Sequence, residues 1–220
     1  MAPLWARIME ETLIPSGPLV ALDYVGIGVF AVSGALLAAK KGQTLVTFFF
    51  FALVTGVGGG TLRDLLIGAP VFWVQHNETL FVITAGALAV WFIKGLQRTE
   101  KPLLWFDAVG LAAYSVYGAS KALRYDIAPL PAIVMGVMTA CVGGIIRDVL
   151  ANEPSILMRP ELYVTAAALS SASFVVMTLL GLPIVVAGGI AALLGFALRG
   201  AAVARGLSLP SYHLPSQESI

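Results

Sequence analysis

TGVGGGTLRDLLIGAP at residues 55–70 recurs 84 residues later as TACVGGIIRDVLANEP at residues 139–154, and this repeat indicates how the whole chain is organised. In both copies small and apolar residues lead into glycines, an Arg-Asp pair and a proline. Without a gap, 14 of the 48 positions from 23 to 70 are identical to the residues 84 positions further on. An internal repeat in a hydrophobic chain points to a transport site between the two repeated units.

The composition is that of an integral membrane protein. Of the 220 residues, 59% are hydrophobic and only 11% are charged, whereas soluble domains carry about 25% charged residues. The net charge of +1 provides no basic surface for nucleic acid. The one cysteine, Cys141, excludes an intramolecular disulfide and is interpreted as a small packed apolar residue.

Seven stretches are apolar enough to cross a bilayer as helices, which takes about 20 residues. They are 19–39, 44–67, 79–96, 103–122, 128–151, 161–180 and 182–203. The sequence therefore predicts an all-α integral membrane fold with seven transmembrane helices. Residues 1–18 are predicted to form an interfacial segment rather than a cleaved signal peptide, with a disordered leader as the alternative, and residues 208–220 a disordered tail.

Basic residues are divided unevenly between the two sides of these spans. One side holds eight of them, namely Lys40, Lys41, Lys94, Arg98, Lys101, Arg159, Arg199 and Arg205. The opposite side holds Arg7, Lys121 and Arg124. Because cytoplasmic loops carry an excess of Lys and Arg, the N-terminus is predicted to lie outside and the C-terminus in the cytoplasm of a plasma (inner) membrane protein.

The repeat units begin at spans one and four, and the odd number of spans between them inverts the second unit relative to the first. Repeat one covers residues 19–96 and repeat two covers residues 103–180, while the span at 182–203 stands outside the repeat. TAGAL at 84–88 in span three matches TAAAL at 165–169 in span six after a three-residue shift. An inverted 3+3 repeat places its shared elements near the membrane midplane.

The glycines of the two motifs are candidate kinks in spans two and five. Gly58, Gly59 and Gly60 lie in the first motif, and Gly143 and Gly144 in the second. Each glycine costs about 1 kcal/mol relative to alanine inside a helix, so the run predicts a bent or unwound helix whose freed carbonyls line a pathway.

Close packing is the alternative role for these glycines, since small residues let two membrane helices approach each other. It is the expected role of four glycines on spans one and four, which also recur in pairs 84 residues apart. They are Gly26, Gly34, Gly110 and Gly118.

An Arg-Asp pair follows the glycines in each motif, at Arg63 and Asp64 and again at Arg147 and Asp148. A charge at the centre of a bilayer costs about 3 kcal/mol on insertion scales. Two roles stay open for these groups: they line or gate a hydrated pore, or they anchor helix ends at the interface.

Five further polar residues are candidates for the same site. Asp23 and Asp107 are expected to pair with the motif arginines, because adjacent residues on a helix do not face each other. Thr55 and Thr139 are candidate pore-lining hydroxyls, although hydroxyls in membrane helices more often bond to the carbonyl four residues before. Lys121 is either a gating charge or a snorkelling anchor.

Enzymatic function is not indicated. The GVGGGT segment lacks the Gly-Lys-Ser/Thr ending of a phosphate-binding loop, and no strand is predicted before it. The two histidines, His76 and His213, have no metal-ligand spacing. The sequence therefore predicts no catalytic residues, no cofactor and no structural metal.

The paired motifs, GVGGGTLRDLLIGAPVFW and its echo VGGIIRDVL, resemble those of the prokaryotic branch of the trimeric intracellular cation (TRIC) channels. That branch overlaps a family of bacterial membrane proteins described as candidate glycine transporters. The resemblance covers residues 19–205 and implies a homotrimer in which each protomer carries a pore for monovalent cations, chiefly K⁺. It also implies kinks at both glycine runs, although Val142 stands where the first motif has Gly58.

Two functions follow as hypotheses. The first is a K⁺-permeable channel whose pathway runs between the inverted halves. The second is a secondary carrier for a small zwitterion such as glycine, because alternating-access carriers are also built from inverted repeats. The pairing of the motif charges favours a pore over a pocket for a substrate carboxylate.

Overall fold

The computed structural model describes residues 17–93, 95 and 101–210, and for residues 17–20 the backbone alone. The predicted interfacial segment 1–18 and tail 208–220 fall almost entirely outside these residues. Apart from one isolated β-bridge, all regular structure in the described part is helical, as the sequence predicts.

The described residues include seven long helices, in the order of the seven predicted spans. They are α1 Gly17–Lys40, α2 Leu45–Leu66, α3 Asn77–Phe92, α4 Lys101–Arg124, α5 Pro129–Leu150, α6 Val164–Leu179 and α7 Ile184–Arg205. A single helical turn, Phe72–Gln75, precedes α3, and a 3₁₀ turn, Ile156–Met158, precedes α6.

Four of these helices, α1, α2, α5 and α7, are long and apolar enough to cross a membrane by length and composition. Helices α3 and α6 have 16 residues each and are apolar but shorter. Helix α4 has 24 residues but carries ionisable groups, among them the buried Asp107 and Lys121. A bundle with four such spans is a membrane protein, and crossing by all seven helices remains a proposal.

Polarity in the bundle is arranged as lipid requires. Large apolar side chains such as Val46, Phe81 and Leu130 are exposed, whereas the largest fully buried side chains are Arg63 and Arg147 together with Arg199. Ionisable residues in membrane helices face the bundle interior in this way, because lipid cannot solvate them.

Helices α1 and α4 form the centre of the bundle. Helix α1 packs against α2, α3 and α4, and α4 packs against α5, α6 and α7. Helices α2 and α5 pack against each other and join the two halves. Helix α7 lies against α4 and α6, so it extends the second half only.

The ends of α2 and α5 are built in the same way, 84 residues apart. Gly68 and Asn152 both have positive φ, at 69° and 53°. The following amides, of Ala69 and Glu153, donate to the carbonyl oxygens five residues back at 2.8 and 2.9 Å. These are Schellman caps, which satisfy the last carbonyls of a helix.

Helices α2 and α5 run without interruption through the glycines of both motifs. The prediction of an unwound helix at Gly58–Gly60 and at Gly143–Gly144 is therefore wrong, and a bend there stays a prediction. Close packing explains the difference, because the continuous helices keep their own hydrogen bonds while the glycines let neighbouring groups approach.

Candidate functional site

Helices α2 and α5 meet at a reciprocal contact of glycine with backbone. A Cβ added to Gly59 would lie 2.2 Å from the carbonyl oxygen of Thr139, and one added to Gly143 would lie 2.3 Å from that of Thr55. Each contact is the other moved by 84 residues, which is the pattern of an interface with a two-fold axis. The alternative role considered for the glycines, close packing, accounts for these two residues.

The other motif glycines also lie against neighbouring groups. Gly58 faces Ile146, and a Cβ on Gly60 would lie 2.7 Å from the ring of Phe72. A Cβ on Gly144 would lie 3.2 Å from the hydroxyl oxygen of Tyr163. The glycine runs therefore allow α2, α5 and the loops that follow them to come close together.

The two candidate pore-lining hydroxyls, of Thr55 and Thr139, form hydrogen bonds within their own helices. Thr55 donates to the carbonyl oxygen of Phe51 and Thr139 to that of Met135, both at 2.6 Å. Both threonines are buried. Their backbone carbonyls, rather than their hydroxyls, form the contact between α2 and α5.

The first charge cluster, formed by Arg63, Asp64 and Lys121, lies where α2 ends against α4. Arg63 Nε and Lys121 Nζ each lie 2.9 Å from a carboxylate oxygen of Asp64. The amide of Phe72 donates to Asp64 Oδ2 at 3.1 Å. The Arg63 guanidinium lies over the rings of Phe72 and Tyr117, at 5.9 and 5.2 Å from the centroids. Asp64 thus holds two cations that also lie against aromatic rings.

The second charge cluster, formed by Asp107, Arg147 and Asp148, lies where α5 ends against α4 and α1. Arg147 Nη1 donates to Asp107 Oδ1 at 2.8 Å and also contacts the Ser33 hydroxyl. Arg147 Nε donates to Asp148 Oδ1 at 2.9 Å. The amide of Ile156 donates to Asp148 Oδ2 at 3.1 Å, as Phe72 does to the first motif aspartate. The Arg147 side chain is 1% exposed, so it is held inside the bundle.

The predicted partners of the arginines are found in one half only. Arg147 pairs with Asp107 as expected. Among the described residues no ion pair joins Arg63 to Asp23, and Arg63 Nη1 and Asp23 Oδ1 are buried without hydrogen-bond partners. The expectation that neighbouring Arg and Asp side chains do not meet is wrong, because each long guanidinium arm folds back onto the next residue.

A cavity of about 370 Å³ lies beside the first charge cluster. Its lining includes the half-buried Asp23 and the buried Phe72, Thr79 and Lys121, and it reaches the surface at His76. A water molecule takes about 30 Å³ in the liquid, so the cavity has room for several. It brings solvent or a small solute to the ammonium group of Lys121 inside the bundle.

Two tyrosines of the site were not predicted from the sequence. Tyr117 lies over Arg63, and Tyr163 lies beneath Arg199, 5.2 Å from its guanidinium carbon. Arg199 in turn pairs with Glu161 at 2.6 Å. The 84-residue offset aligns Tyr117 with Ser33, which also contacts a motif arginine, so the repeat carried a signal for one of the two.

Comparison with known proteins identifies the family of the chain. A family model described as "Glycine transporter" matches the chain twice, at residues 20–95 and 104–179. The "UPF0126 membrane protein" of Vibrio cholerae serotype O1 is 43% identical over 163 residues, which cover 71% of this chain and 67% of that protein. The "UPF0126 inner membrane protein YadS" of Escherichia coli K12 is 43% identical over 148 residues, covering 66% and 72%.

Solved structures of the same fold include TRIC channels of prokaryotes. The TRIC trimeric intracellular cation channel orthologue from Rhodobacter sphaeroides is 40% identical and superposes with a TM-score of 0.80, covering 86% of this chain and 98% of that one. A prokaryotic TRIC channel solved in 0.5 M KCl is 27% identical with a TM-score of 0.80, covering 87% and 98%. The resemblance predicted from the paired motifs is confirmed.

Proposed function

The chain belongs to the membrane protein family described as "Glycine transporter", and we propose that it is a channel for monovalent cations, chiefly K⁺. It acts as a homotrimer, with one pathway in each protomer between the two repeats. The role is not enzymatic. Its fold is shared with proteins named as TRIC cation channels, which supports the proposal.

One observation carries the proposal: a cavity leads from the surface to buried ionisable groups at the junction of the two repeats. Asp23 and Lys121 line it, and Lys121 is bound to Asp64 of the first motif. Buried charge beside a water-sized cavity in a membrane bundle is the usual mark of an ion pathway. The equivalent cluster around Arg147 would form the other end of the pathway.

The contact between α2 and α5 is the proposed closed point of the pathway. Backbone touches backbone at Gly59 and at Gly143, which leaves no room for an ion. Conduction therefore requires α2 and α5 to move apart or to slide along each other. The glycines on the contacting faces of the two helices have no side chains that would block such a movement. The structure then corresponds to a non-conducting state.

The proposal is tested by recording from purified protein in planar bilayers with unequal KCl on the two sides. Unitary currents that reverse near the K⁺ equilibrium potential are expected. Light scattering in detergent measures the oligomer, and three chains per particle are expected. Absence of current in bilayers that contain intact protein would overturn the channel function.

A thiol reagent locates the pathway. We expect current through His76→Cys, at the mouth of the cavity, to fall when a bulky cationic methanethiosulfonate is added from the side of that loop. Val185→Cys, on the exposed face of α7, is the matched control and should not respond. The native Cys141 is 3% exposed, so the wild-type protein provides a silent background. Equal block of both variants would place the pathway elsewhere.

A carrier for glycine is the second candidate, and the first half contains an observation that favours it. Among the described residues, Asp23 Oδ1 and Arg63 Nη1 are buried without hydrogen-bond partners, and Asp23 lines the same cavity as Lys121. A small zwitterion would pair its ammonium with Asp23 and its carboxylate with a cation. Saturable uptake of labelled glycine into proteoliposomes, without unitary current, would establish the carrier in place of the channel.

A further inference from the structure

The two repeats differ in how completely they enclose a pair of equivalent aspartates. Asp23 is half-buried and lines the cavity of the first half together with Thr79, which lies in the first turn of α3. Its counterpart 84 residues later, Asp107, is 0% exposed. One of the side chains that cover Asp107 is that of Tyr163, which immediately precedes α6. A small side chain at the start of α3 thus borders an open space, whereas a large one at the start of α6 lies against the enclosed aspartate.

Tyr163 is held at both ends of its side chain. Its hydroxyl group interacts with the carboxylate of Asp107, and its oxygen lies 3.2 Å from the position of a Cβ added to Gly144. Its ring lies 5.2 Å from the guanidinium carbon of Arg199, which is fixed by a 2.6 Å ion pair with Glu161. The side chain of Tyr163 is 1% exposed. It therefore connects the second charge cluster with α7 and keeps both away from solvent.

The loop that carries Tyr163 is fastened by the residues that follow α7. The amide of Leu209 donates to the carbonyl oxygen of Pro160 at 2.7 Å. Ser208 forms an antiparallel β-bridge with Glu161. Helix α7 stands outside the repeat and packs on α4 and α6. Its end therefore gives the second half a support that the repeated helices do not supply.

We propose that Tyr163 is a gate residue that closes the α5 end of the pathway, and that α7 and the segment after it hold this residue in place. Apolar constrictions close a channel by excluding water, and the buried ring of Tyr163 does so beside the second charge cluster. Movement of the loop would withdraw the ring and bring solvent to Asp107. The inference rests on the proposed channel function and adds a closed point in series with the contact between α2 and α5.

The native Cys141 reports whether the second half is open. Its side chain is 3% exposed and lies close enough to Asp107 and Tyr163 to interact with both. A buried group reacts only when the structure around it opens, so the rate of its modification measures that opening. We expect slow modification of the wild type by 2-aminoethyl methanethiosulfonate. The measurement needs no ionic current, so a failure of the gate and a failure of the channel function give different results.

Two variants of Tyr163 separate the space that its ring fills from the bond that its hydroxyl makes. Tyr163→Thr introduces the small side chain that the first half has at Thr79, and should raise the modification rate of Cys141 at least about tenfold. Tyr163→Phe keeps the ring against Arg199 and should raise the rate much less. Tyr125→Thr, at an exposed tyrosine, is the matched control and should leave the rate as in the wild type.

A second pair of variants loosens the support of Tyr163 without changing the buried core. Leu209→Pro removes the amide that donates to Pro160, and should raise the modification rate about threefold to tenfold, as the loss of one hydrogen bond does. Leu209→Ala keeps the amide and should react as the wild type does. Leu209 is 42% exposed, so both variants should fold.

In planar bilayers, the variants that expose Cys141 should also stay open longer under a K⁺ gradient. Equal modification rates in the wild type and Tyr163→Thr would overturn the proposal, and so would faster modification with unchanged open times. A Tyr163→Phe variant as reactive as Tyr163→Thr would assign the closure to the hydroxyl group and overturn the role of the ring. Should Tyr163→Thr not fold, equal rates in the two Leu209 variants would overturn the proposal instead.

Discussion

At the scale of single residues, the glycines and aspartates of the two motifs stabilise the packing of the helices rather than line an open pathway. Gly59 and Gly143 let the backbones of α2 and α5 come into contact, so any side chain larger than a hydrogen atom at either position would clash with a carbonyl oxygen. Asp64 and Asp148 each accept a hydrogen bond from the arginine that precedes them and another from a backbone amide after the helix end. Substitutions at these positions should therefore affect stability first.

Gly59→Ala and Gly143→Ala should each lower the free energy of unfolding by about 1–3 kcal/mol, as overpacking of a tight contact does. The added methyl group would lie within 2.3 Å of a carbonyl oxygen in either variant. Gly189→Ala is the control, since a Cβ there meets nothing within 4 Å. Melting in detergent compares the three, and an unchanged Gly59→Ala would contradict the contact.

Asp64→Asn should lower stability by about 3 kcal/mol, because it leaves two buried cations with one carboxylate fewer. Asp64 is 0% exposed and does not itself line the cavity, so the loss of stability should be the main effect and any shift of the reversal potential should be small. Glu153→Gln removes a carboxylate from the surface pair with Lys41 and should cost less than about 1 kcal/mol. A shifted reversal potential with unchanged melting in Asp64→Asn would mean that Asp64 faces the ion pathway.

At the scale of elements, each motif helix ends in a Schellman cap followed by a short helical turn, and the turn returns an amide to the motif aspartate. The cap needs a residue with positive φ, which is Gly68 after α2 and Asn152 after α5. Because the cap sets the direction of the following turn, it also sets where Phe72 and Ile156 meet their aspartates. The loops are thus part of the charge clusters.

Asn152→Val should destabilise the protein by about 1–2 kcal/mol, since a side chain branched at Cβ is strained at positive φ. Asn152→Gly is the matched control and should stay within about 0.5 kcal/mol of the wild type. Chemical or thermal melting in detergent measures both. Equal stability of the two variants would argue against the left-handed cap.

At the scale of the whole molecule, two repeats meet through α2 and α5, while α1 and α4 form the centre around them. The outer helices differ between the halves, because α7 packs on α4 and α6. The clusters differ as well, with a cavity beside Lys121. This asymmetry is consistent with different roles for the two ends of the proposed pathway.

The orientation of the bundle is tested by labelling introduced cysteines in intact cells with a membrane-impermeant thiol reagent. His76→Cys should be labelled from outside, because the loop after α2 is predicted to lie there. Leu157→Cys, exposed in the loop after α5, should be labelled only after the membrane is opened. The reverse pattern would invert the predicted topology, and the buried native Cys141 keeps the background low.

The membrane class, the order of the helices and the 84-residue repeat can be predicted from the amino acids alone, because hydropathy and residue spacing are read along the chain. The partners of the charged groups are seen only in the folded protein, where Lys121 binds Asp64 across 57 positions and Arg147 reaches both Ser33 and Asp107. Those partners depend on where the helices cross. The sequence did not distinguish between two roles of the glycines, bending a helix and packing it closely, because the lack of a side chain permits both. The structure decided for packing at Gly59 and Gly143, because in lipid a helix keeps its own hydrogen bonds and gains from close approach.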